Sequence, residues 1–186
     1  MNPQKQRLKQ ILLEKSYEKR NVILASGKTS DFYFDGKQTT LSAEGAFLVG
    51  HLFLEAIDDS GKKVEAIGGP TLGADPIVAA VSLASFLKGK PIPAFIVRKE
   101  PKGHGTGAWI EGVKNLKPGM QVALVEDVVT SGGSILKAVQ QVEKAGYFVS
   151  LLMTIVDRED GGAQALKAKG YPLISLFTKT ELLNLK

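Results

Sequence analysis

Two adjacent acidic residues, Glu126 and Asp127, follow the apolar run VALV and precede a cluster of small and hydroxyl residues, TSGGS (130–134). Small residues at the start of a helix leave backbone N–H groups open to a phosphate, and the helix dipole favours the anion. Two carboxylates beside such a site would repel the ligand unless ribose hydroxyls donate to them or a hard cation such as Mg²⁺ intervenes. The stretch therefore predicts a site for a sugar phosphate.

This segment matches neither of two common phosphate-binding motifs. No Gly-Lys-Ser/Thr follows the glycines, as a Walker P-loop requires, and there is no GxGxxG pattern here. A less specific interpretation is an exposed strand end whose following helix is N-capped by Thr130 or Ser131.

A second stretch, RKEPKGHGTG (98–107), combines positive charge with glycine. Its glycines would let the segment open and close, while its cations could neutralise a departing diphosphate and exclude water. An ordinary flexible surface loop is the alternative. The charged or titratable residues are Arg98, Lys99, Lys102 and His104, and the glycines are Gly103, Gly105 and Gly107.

Short apolar runs that alternate with helical stretches predict an α/β fold with a parallel sheet covered on both faces. Ligands of such sheets bind at the carboxyl ends of the strands, and the motifs above lie there. Ser42 is expected to cap a helix over AEGAFLVGHLFLEAIDD, and residues 8–17 suggest an amphipathic helix. The predicted strands are 64–69, 92–98, 121–127 and 148–158, and the helices between them are about 74–88 and 133–145.

Composition restricts the class of protein. The chain has 186 residues, no cysteine and a formal charge of +5, so we expect one domain (1–186), no disulfide framework and no thiolate metal site. The charged first residues do not fit a signal peptide, and no apolar run is long enough to cross a bilayer. These features predict a cytoplasmic protein without a membrane partner. The mild positive charge alone indicates no more than a lysine-rich surface.

Several motifs together resemble those of the type I phosphoribosyltransferases, and specifically the orotate phosphoribosyltransferases. LVEDVVTSGGS (124–134) is similar to the signature with which that superfamily binds phosphoribosyl pyrophosphate (PRPP). RKEPKGHG (98–105) combined with VDR (156–158) is more specific to orotate. The resemblance covers most of the chain, including LASGKTSDFYFD (24–35), GGPTLGADP (68–76) and IVDRED (155–160).

The resemblance implies a mostly parallel central sheet flanked by helices, with residues 1–40 contributing to a hood over the active site. It implies transfer of ribose 5-phosphate from PRPP to orotate, which gives orotidine 5′-monophosphate and diphosphate in pyrimidine synthesis. Mg²⁺ is the implied cofactor, bound through PRPP and reached by Glu126 and Asp127 through water. A homodimer is also implied, whose basic loop serves the neighbouring subunit's site; no nucleic acid is expected as a partner.

Site residues follow from the same resemblance. The implied catalytic residues are Lys99, Lys102, His104 and Asp127, and the implied orotate contacts are Thr130 and Arg158. The implied PRPP contacts are Arg98, Lys99, Lys102, His104, Glu126, Asp127, Val128, Val129, Thr130, Ser131, Gly132, Gly133 and Ser134.

The chain departs from the family pattern at two places. Related enzymes often carry a lysine in the loop that here reads Thr71-Leu72-Gly73, and another two residues before Gly27, where this chain has Ala25. Lys28 is a candidate substitute. Tyr33 and Phe34 could stack on a base or belong to the core, and a surface ion pair is the alternative for Arg158.

Two other functions remain open from the sequence. A phosphoribosyltransferase for another base would share EDVVTSGGS but has little need of RKEPKGHG together with VDR. A regulatory protein that binds nucleic acid through its basic surface would show clustered cations or an aromatic platform, whereas the lysines here are scattered.

Overall fold

A computed structural model describes residues 2–23, 29–101 and 108–184. Its helices are α1 (Pro3–Ile11), α2 (Lys37–Thr40), α3 (Ala43–Asp59), α4 (Asp75–Leu87), α5 (Gly133–Lys144), α6 (Gly162–Ala168) and α7 (Lys179–Leu183). Its strands are β1 (Tyr17–Ile23), β2 (Thr29–Phe34), β3 (Ala66–Gly68), β4 (Ile96–Val97), β5 (Ile110–Glu111), β6 (Gln121–Val129), β7 (Phe148–Asp157) and β8 (Leu173–Thr178).

A parallel sheet in the order β3-β6-β7-β8 forms the centre of the molecule. The chain before and through β4 runs beside β3, since Phe95 N–H donates to the Ile67 carbonyl at 2.9 Å and Val97 N–H to that of Gly69 at 2.8 Å. Because all strands of the central sheet are parallel, their carboxyl ends meet at one edge.

Helices cover both faces of the sheet. Ala123 and Val125 of β6 contribute to the apolar cluster that includes α1, α3 and α4, while Val122 and Leu124 contribute to the cluster on the α5 side. This alternation along β6 follows from the opposite directions of successive side chains in a strand. The predicted α/β fold, with helices on both faces of a parallel sheet, is confirmed.

An antiparallel hairpin of β1 and β2 lies near the carboxyl edge. Tyr17 pairs with Phe34, and Phe32 and Phe34 are both buried in the cluster with α1 and α3. The hairpin leads through a short turn into α2. In the sequence FYFDGKQTT, Phe32 and Phe34 therefore belong to the core, while the residues after them approach the candidate site.

Several element boundaries differ from those predicted. The acids Glu126 and Asp127 lie within β6, which continues to Val129, and β4 is shorter than the apolar run at 92–98. Strand β8 and helices α6 and α7 were not predicted. The Ser42 cap is confirmed, because its side chain accepts a hydrogen bond from Gly45 N–H at 3.2 Å.

None of the described helices is long and apolar enough to cross a membrane.

Candidate active site

Asp127 lies in a narrow space between two glycines from different parts of the chain. A β-carbon added to Gly36 would be 2.8 Å from the Asp127 β-carbon, and one added to Gly73 would overlap the Asp127 carboxylate. Gly36 precedes α2, and Gly73 belongs to the loop between β3 and α4. Only residues without side chains allow three segments to meet at this carboxylate. Sequence reasoning did not select Gly36, and it considered Gly73 only as part of the loop Thr71-Leu72-Gly73.

Lys37 provides positive charge beside Asp127. Its Nζ atom is 2.6 Å from Asp35 Oδ1, and the Asp35 hydrogen bond, together with attraction to Asp127, raises the pKa of Lys37. Burial raises the pKa of Asp127, whereas Lys37 opposes that increase. Asp127 is therefore partly buried but has a cation next to it. The segment Asp35-Gly36-Lys37 offers a weak sequence signal, a turn residue between two charges.

Glu126 points toward the start of α5. Burial raises the pKa of its carboxyl to about 7, while hydrogen bonds from the Ser134 hydroxyl and the Ile135 backbone N–H oppose the increase and Asp127 adds to it. A carboxyl with a pKa near 7 exchanges its proton in the physiological range. The two adjacent acids therefore occupy different environments.

The predicted phosphate loop, 130–134, connects β6 to α5. Its N-cap residue is Gly132, which is in the left-handed conformation at φ +77° and has no side chain to cap the helix; the Glu126 carboxyl accepts from the Ile135 N–H in the first turn. The alternative of an N-cap at Thr130 or Ser131 is therefore wrong. Thr130 is partly buried, and Ser131, Gly133 and Ser134 are exposed. The glycine-rich start of a helix of 12 residues can receive an anion at its other backbone N–H groups.

Val128 and Val129 connect the acids to this loop. Val128 N–H donates to Asp127 Oδ1 at 3.0 Å, and the Val129 carbonyl accepts from Arg158 N–H at 3.0 Å. The second bond joins the end of β6 to the residue that follows β7.

Arg158 is buried, with only 8% of its surface exposed, so the ion pair that the alternative interpretation expected is present but its arginine does not lie at the surface. Its Nε atom is 3.2 Å from Asp160 Oδ2, and its guanidinium carbon is 5.3 Å from the centre of the Phe32 ring. Phe34 is 9% exposed and stacks on Phe32. The guanidinium carbon of Arg20 lies 3.7 Å from the centre of the Tyr33 ring. The aromatic ring beside Arg158 is thus that of Phe32, which the sequence interpretation did not select.

Two residues at the base of the basic loop are described. Arg98 is held by its own hairpin, because its Nη1 atom is 2.9 Å from Glu111 Oε1 and its backbone N–H donates to the Trp109 carbonyl at 2.8 Å. Lys99 is exposed. Lys102, His104 and Lys28 lie outside the described residues.

A cavity of about 720 Å³ separates this hairpin from α5, between Arg98 and Lys99 on one side and Gly133 and Ser134 on the other. A larger cavity, of about 830 Å³, lies at the opposite edge of the sheet around Val64 and Ile92, and none of the predicted site residues lines it. The carboxyl edge, with its converging acids, arginine and open helix start, is the better candidate for chemistry.

Within the described residues, no group of three or more Asp, Glu or His side chains could hold a metal ion. The two acids of β6 diverge, so they do not form a protein cage for Mg²⁺. This donor set fits an ion that is carried mainly by the oxygens of a ligand.

Comparisons with known proteins agree with this arrangement. The phosphoribosyl transferase domain family matches residues 37–172. Orotate phosphoribosyltransferase of Sorangium cellulosum is 47% identical over 97% of this chain and 93% of its own length, and that of Thermosynechococcus vestitus is 48% identical over 96% and 92%.

A solved structure gives the same result. Orotate phosphoribosyltransferase of Mycobacterium tuberculosis H37Rv, in complex with PRPP, superposes with a TM-score of 0.79 at 33% identity and covers 97% of this chain and 99% of that one. With its parallel sheet, its glycine-rich loop after β6 and relatives similar over nearly their full length, the chain belongs to the phosphoribosyltransferase family, among the orotate phosphoribosyltransferases.

Proposed function

We propose that this chain transfers ribose 5-phosphate from PRPP to orotate, giving orotidine 5′-monophosphate and diphosphate, a step of pyrimidine synthesis. The observation that carries this proposal is the convergence at one sheet edge of the acid pair, the glycine-rich phosphate loop and the buried Arg158. Relatives similar over nearly their full length are named for this activity.

The phosphate loop is the proposed site of the 5-phosphate of PRPP. Backbone N–H groups of residues 130–134 and the N-terminus of α5 favour a dianion there. Because the two carboxylates point to different sides of β6, each is the proposed acceptor for a separate ribose hydroxyl, Glu126 on the α5 side and Asp127 on the side of Gly73. Positive charge that develops on the ribose ring in an oxocarbenium-like transition state is stabilised by these carboxylates.

Departure of diphosphate requires positive charge on the other side of the anomeric carbon. Lys99, Lys102 and His104 are the proposed groups, with Arg98 at the base of their loop, and Mg²⁺ neutralises diphosphate oxygens when it is bound. Arg98 would have to exchange its contact with Glu111 for the ligand, since the two side chains lie 2.9 Å apart in this structure.

Arg158 is the proposed anchor for orotate, together with Thr130. The planar guanidinium can form two parallel hydrogen bonds to a carboxylate or to adjacent acceptors. Its burial supports this role, because hydrogen bonds to a charged group are stronger away from water. The β1–β2 hairpin, which carries Phe32, is the proposed hood over the base.

A homodimer is proposed from an exposed apolar face on α3 and α4. Phe47 of α3 is 55% exposed, and Leu83, Phe86 and Leu87 of α4 are 61%, 69% and 71% exposed. Contiguous apolar surface of this kind marks an interaction site. Leu72, in the loop that contacts Asp127, is 63% exposed. A cytoplasmic location remains a prediction from composition.

The assay uses purified protein with PRPP and Mg²⁺ and follows the loss of orotate absorbance. We expect orotate to be consumed and diphosphate released in equal amounts, and adenine, hypoxanthine and uracil to be poor substrates. Consumption of another base while orotate stays unchanged would assign the chain a different substrate. Binding of RNA or DNA without turnover of any base would instead favour a regulatory protein.

A further inference from the structure

Two cations lie against the ring of Phe32 near the carboxyl ends of β7 and β8. The guanidinium carbon of Arg158 and the Nζ atom of Lys179 are each 5.3 Å from the centre of that ring. Phe32 is 1% exposed, and Lys179 is partly buried. Both charges therefore lie in one partly enclosed region.

The pairing of β7 with β8 explains this proximity. Asp157 pairs with Thr178 in the parallel ladder, and these residues end β7 and β8, so Arg158 and Lys179 directly follow the ends of two neighbouring strands. Neighbouring strands are about 4.8 Å apart. Lys179 is the first residue of α7, and it reaches the region of the proposed orotate anchor from the end of β8, a strand that carries none of the recognised motifs.

The acids beside the ends of β7 and β8, namely Glu159, Asp160 and Glu181, are engaged by other donors. Glu159 Oε2 accepts from Thr180 N–H at 2.7 Å and from Thr180 Oγ1 at 2.6 Å. Glu181 accepts from Thr178 N–H at 3.0 Å, and Asp160 pairs with Arg158. Among residues 2–23, 29–101 and 108–184, no ion pair of Lys179 is found. Its charge is available to a ligand.

We propose that Lys179 is a second cation of the base subsite and favours a pyrimidine that carries a carboxylate over one that does not. This inference rests on the proposed placement of orotate at Arg158. A guanidinium holds a carboxylate in a fixed planar geometry, whereas an ammonium on a flexible stem adds a point charge without a geometric requirement. A carboxylate leaving water beside a buried aromatic ring needs such compensation.

Binding of two nucleotides that differ only in the carboxylate tests the proposal. Orotidine 5′-monophosphate carries it and uridine 5′-monophosphate does not, so their affinities are compared by calorimetry for the wild type and for Lys179→Met. Loss of one charge-assisted contact should raise the Kd of orotidine 5′-monophosphate about tenfold or more. The Kd of uridine 5′-monophosphate should change by less than about twofold, because that ligand presents no carboxylate.

Lys5→Met is a matched control. Lys5 is also partly buried, and its Nζ atom lies 5.1 Å from the centre of the Phe177 ring, but α1 is not part of the proposed base subsite. This variant should leave both affinities unchanged, and Lys179→Arg should retain most of the preference for the carboxylated nucleotide.

Equal weakening of both nucleotides in Lys179→Met, or no weakening of orotidine 5′-monophosphate, would overturn the role of Lys179. Failure of the wild type itself to consume orotate and to bind orotidine 5′-monophosphate would overturn the proposed function, and this inference with it. The wild-type measurement therefore separates the two failures.

Discussion

Adjacent acids in a strand can serve different parts of a site, as Glu126 and Asp127 do. Successive side chains of a strand point to opposite sides, so Glu126 reaches the start of α5 while Asp127 reaches Gly36 and Gly73. Sequence reasoning selected both acids and the loop 130–134 from local residue types, and the structure places them at the end of β6 and the start of α5. Their divergence was not predicted, because it depends on the continuation of β6 to Val129.

Glu126→Gln should stabilise the ligand-free protein at pH 8. The folded-state pKa of Glu126 is raised from 4.5 to about 7, so its charge opposes folding at pH 8, and protonation removes this effect as the pH falls from about 7 toward 4.5. One pKa unit corresponds to about 1.4 kcal/mol, so the contribution is at most about 3.5 kcal/mol. Thermal unfolding of both proteins, measured from pH 5 to pH 8 without ligand, checks this.

The same substitution should weaken PRPP binding, because an amide is a poorer acceptor for ribose hydroxyls than a carboxylate.

The difference in stability between the Glu126→Gln variant and the wild type should shrink toward pH 5, where the wild-type carboxyl is protonated. If the stability difference between the two proteins did not change with pH, burial would not be raising the pKa of Glu126.

At the scale of elements, α6 supports the phosphate loop. A β-carbon added to Gly162, the first residue of α6, would be 2.5 Å from the Thr130 carbonyl oxygen and 2.7 Å from Val129 Cγ1. Gly162 at the start of α6 therefore packs tightly against Val129 and Thr130, which lie about thirty residues earlier in the chain. The sequence DREDGGAQ signals a turn but does not show what the turn packs against.

Gly162→Ala should displace the loop and raise the Kd of PRPP. Backbone atoms cannot move aside as a flexible side chain can, so the loop or α6 must shift, and a small misplacement of a binding group can reduce rate by about 10²-fold. Gly161→Ala is the control, because nothing lies within 4 Å of its added β-carbon, although its φ of +92° makes the backbone strained. Gly161→Ala should lower the melting temperature and retain PRPP affinity; equal PRPP affinity in both variants would contradict the support role.

The sequence did not predict β8, α6 and α7, and these omissions have a common physical reason. LISLFT, which forms β8, is short and has no motif at its end, so its importance appears only when it pairs with β7 and brings Lys179 beside Phe32. By contrast, α3 was predicted from local signals, an N-capping serine and a long apolar periodicity. Local chemistry is readable from the sequence, whereas contacts between distant segments depend on pairing and register.

For the whole molecule, the proposed dimer predicts complementation between two inactive variants. Lys102→Ala removes the proposed diphosphate contact of the basic loop, and Asp127→Asn removes a carboxylate of the ribose site. If the loop serves the neighbouring subunit, a heterodimer has one site with both defects and one with neither. Activity should return on mixing, toward about half the wild-type value for each heterodimer, since losing one preorganised contact costs on the order of 10²-fold in rate. Steady-state assays after subunit exchange measure this.

Phe86→Glu introduced into both variants provides the control. A charge on the exposed apolar face of α4 should separate the subunits, which light scattering after gel filtration would show, and complementation should disappear. Demonstrated subunit exchange without recovery of activity would place the loop within its own chain.

The order β3-β6-β7-β8 has a consequence for the protein during its synthesis. The neighbour of β3 in the sheet is β6, which follows it in the chain only after α4, β4 and β5. A nascent chain that has released β3, α4 and β4 from the ribosome still lacks the strand that covers β3 on that side, and parallel pairing of distant segments is slow to form. The residues of β3 that pair with β6 therefore lack this neighbour until β6 emerges, although α4 can already pack against α3. A strand edge without its partner and incomplete packing are the features that make partly formed chains prone to aggregation.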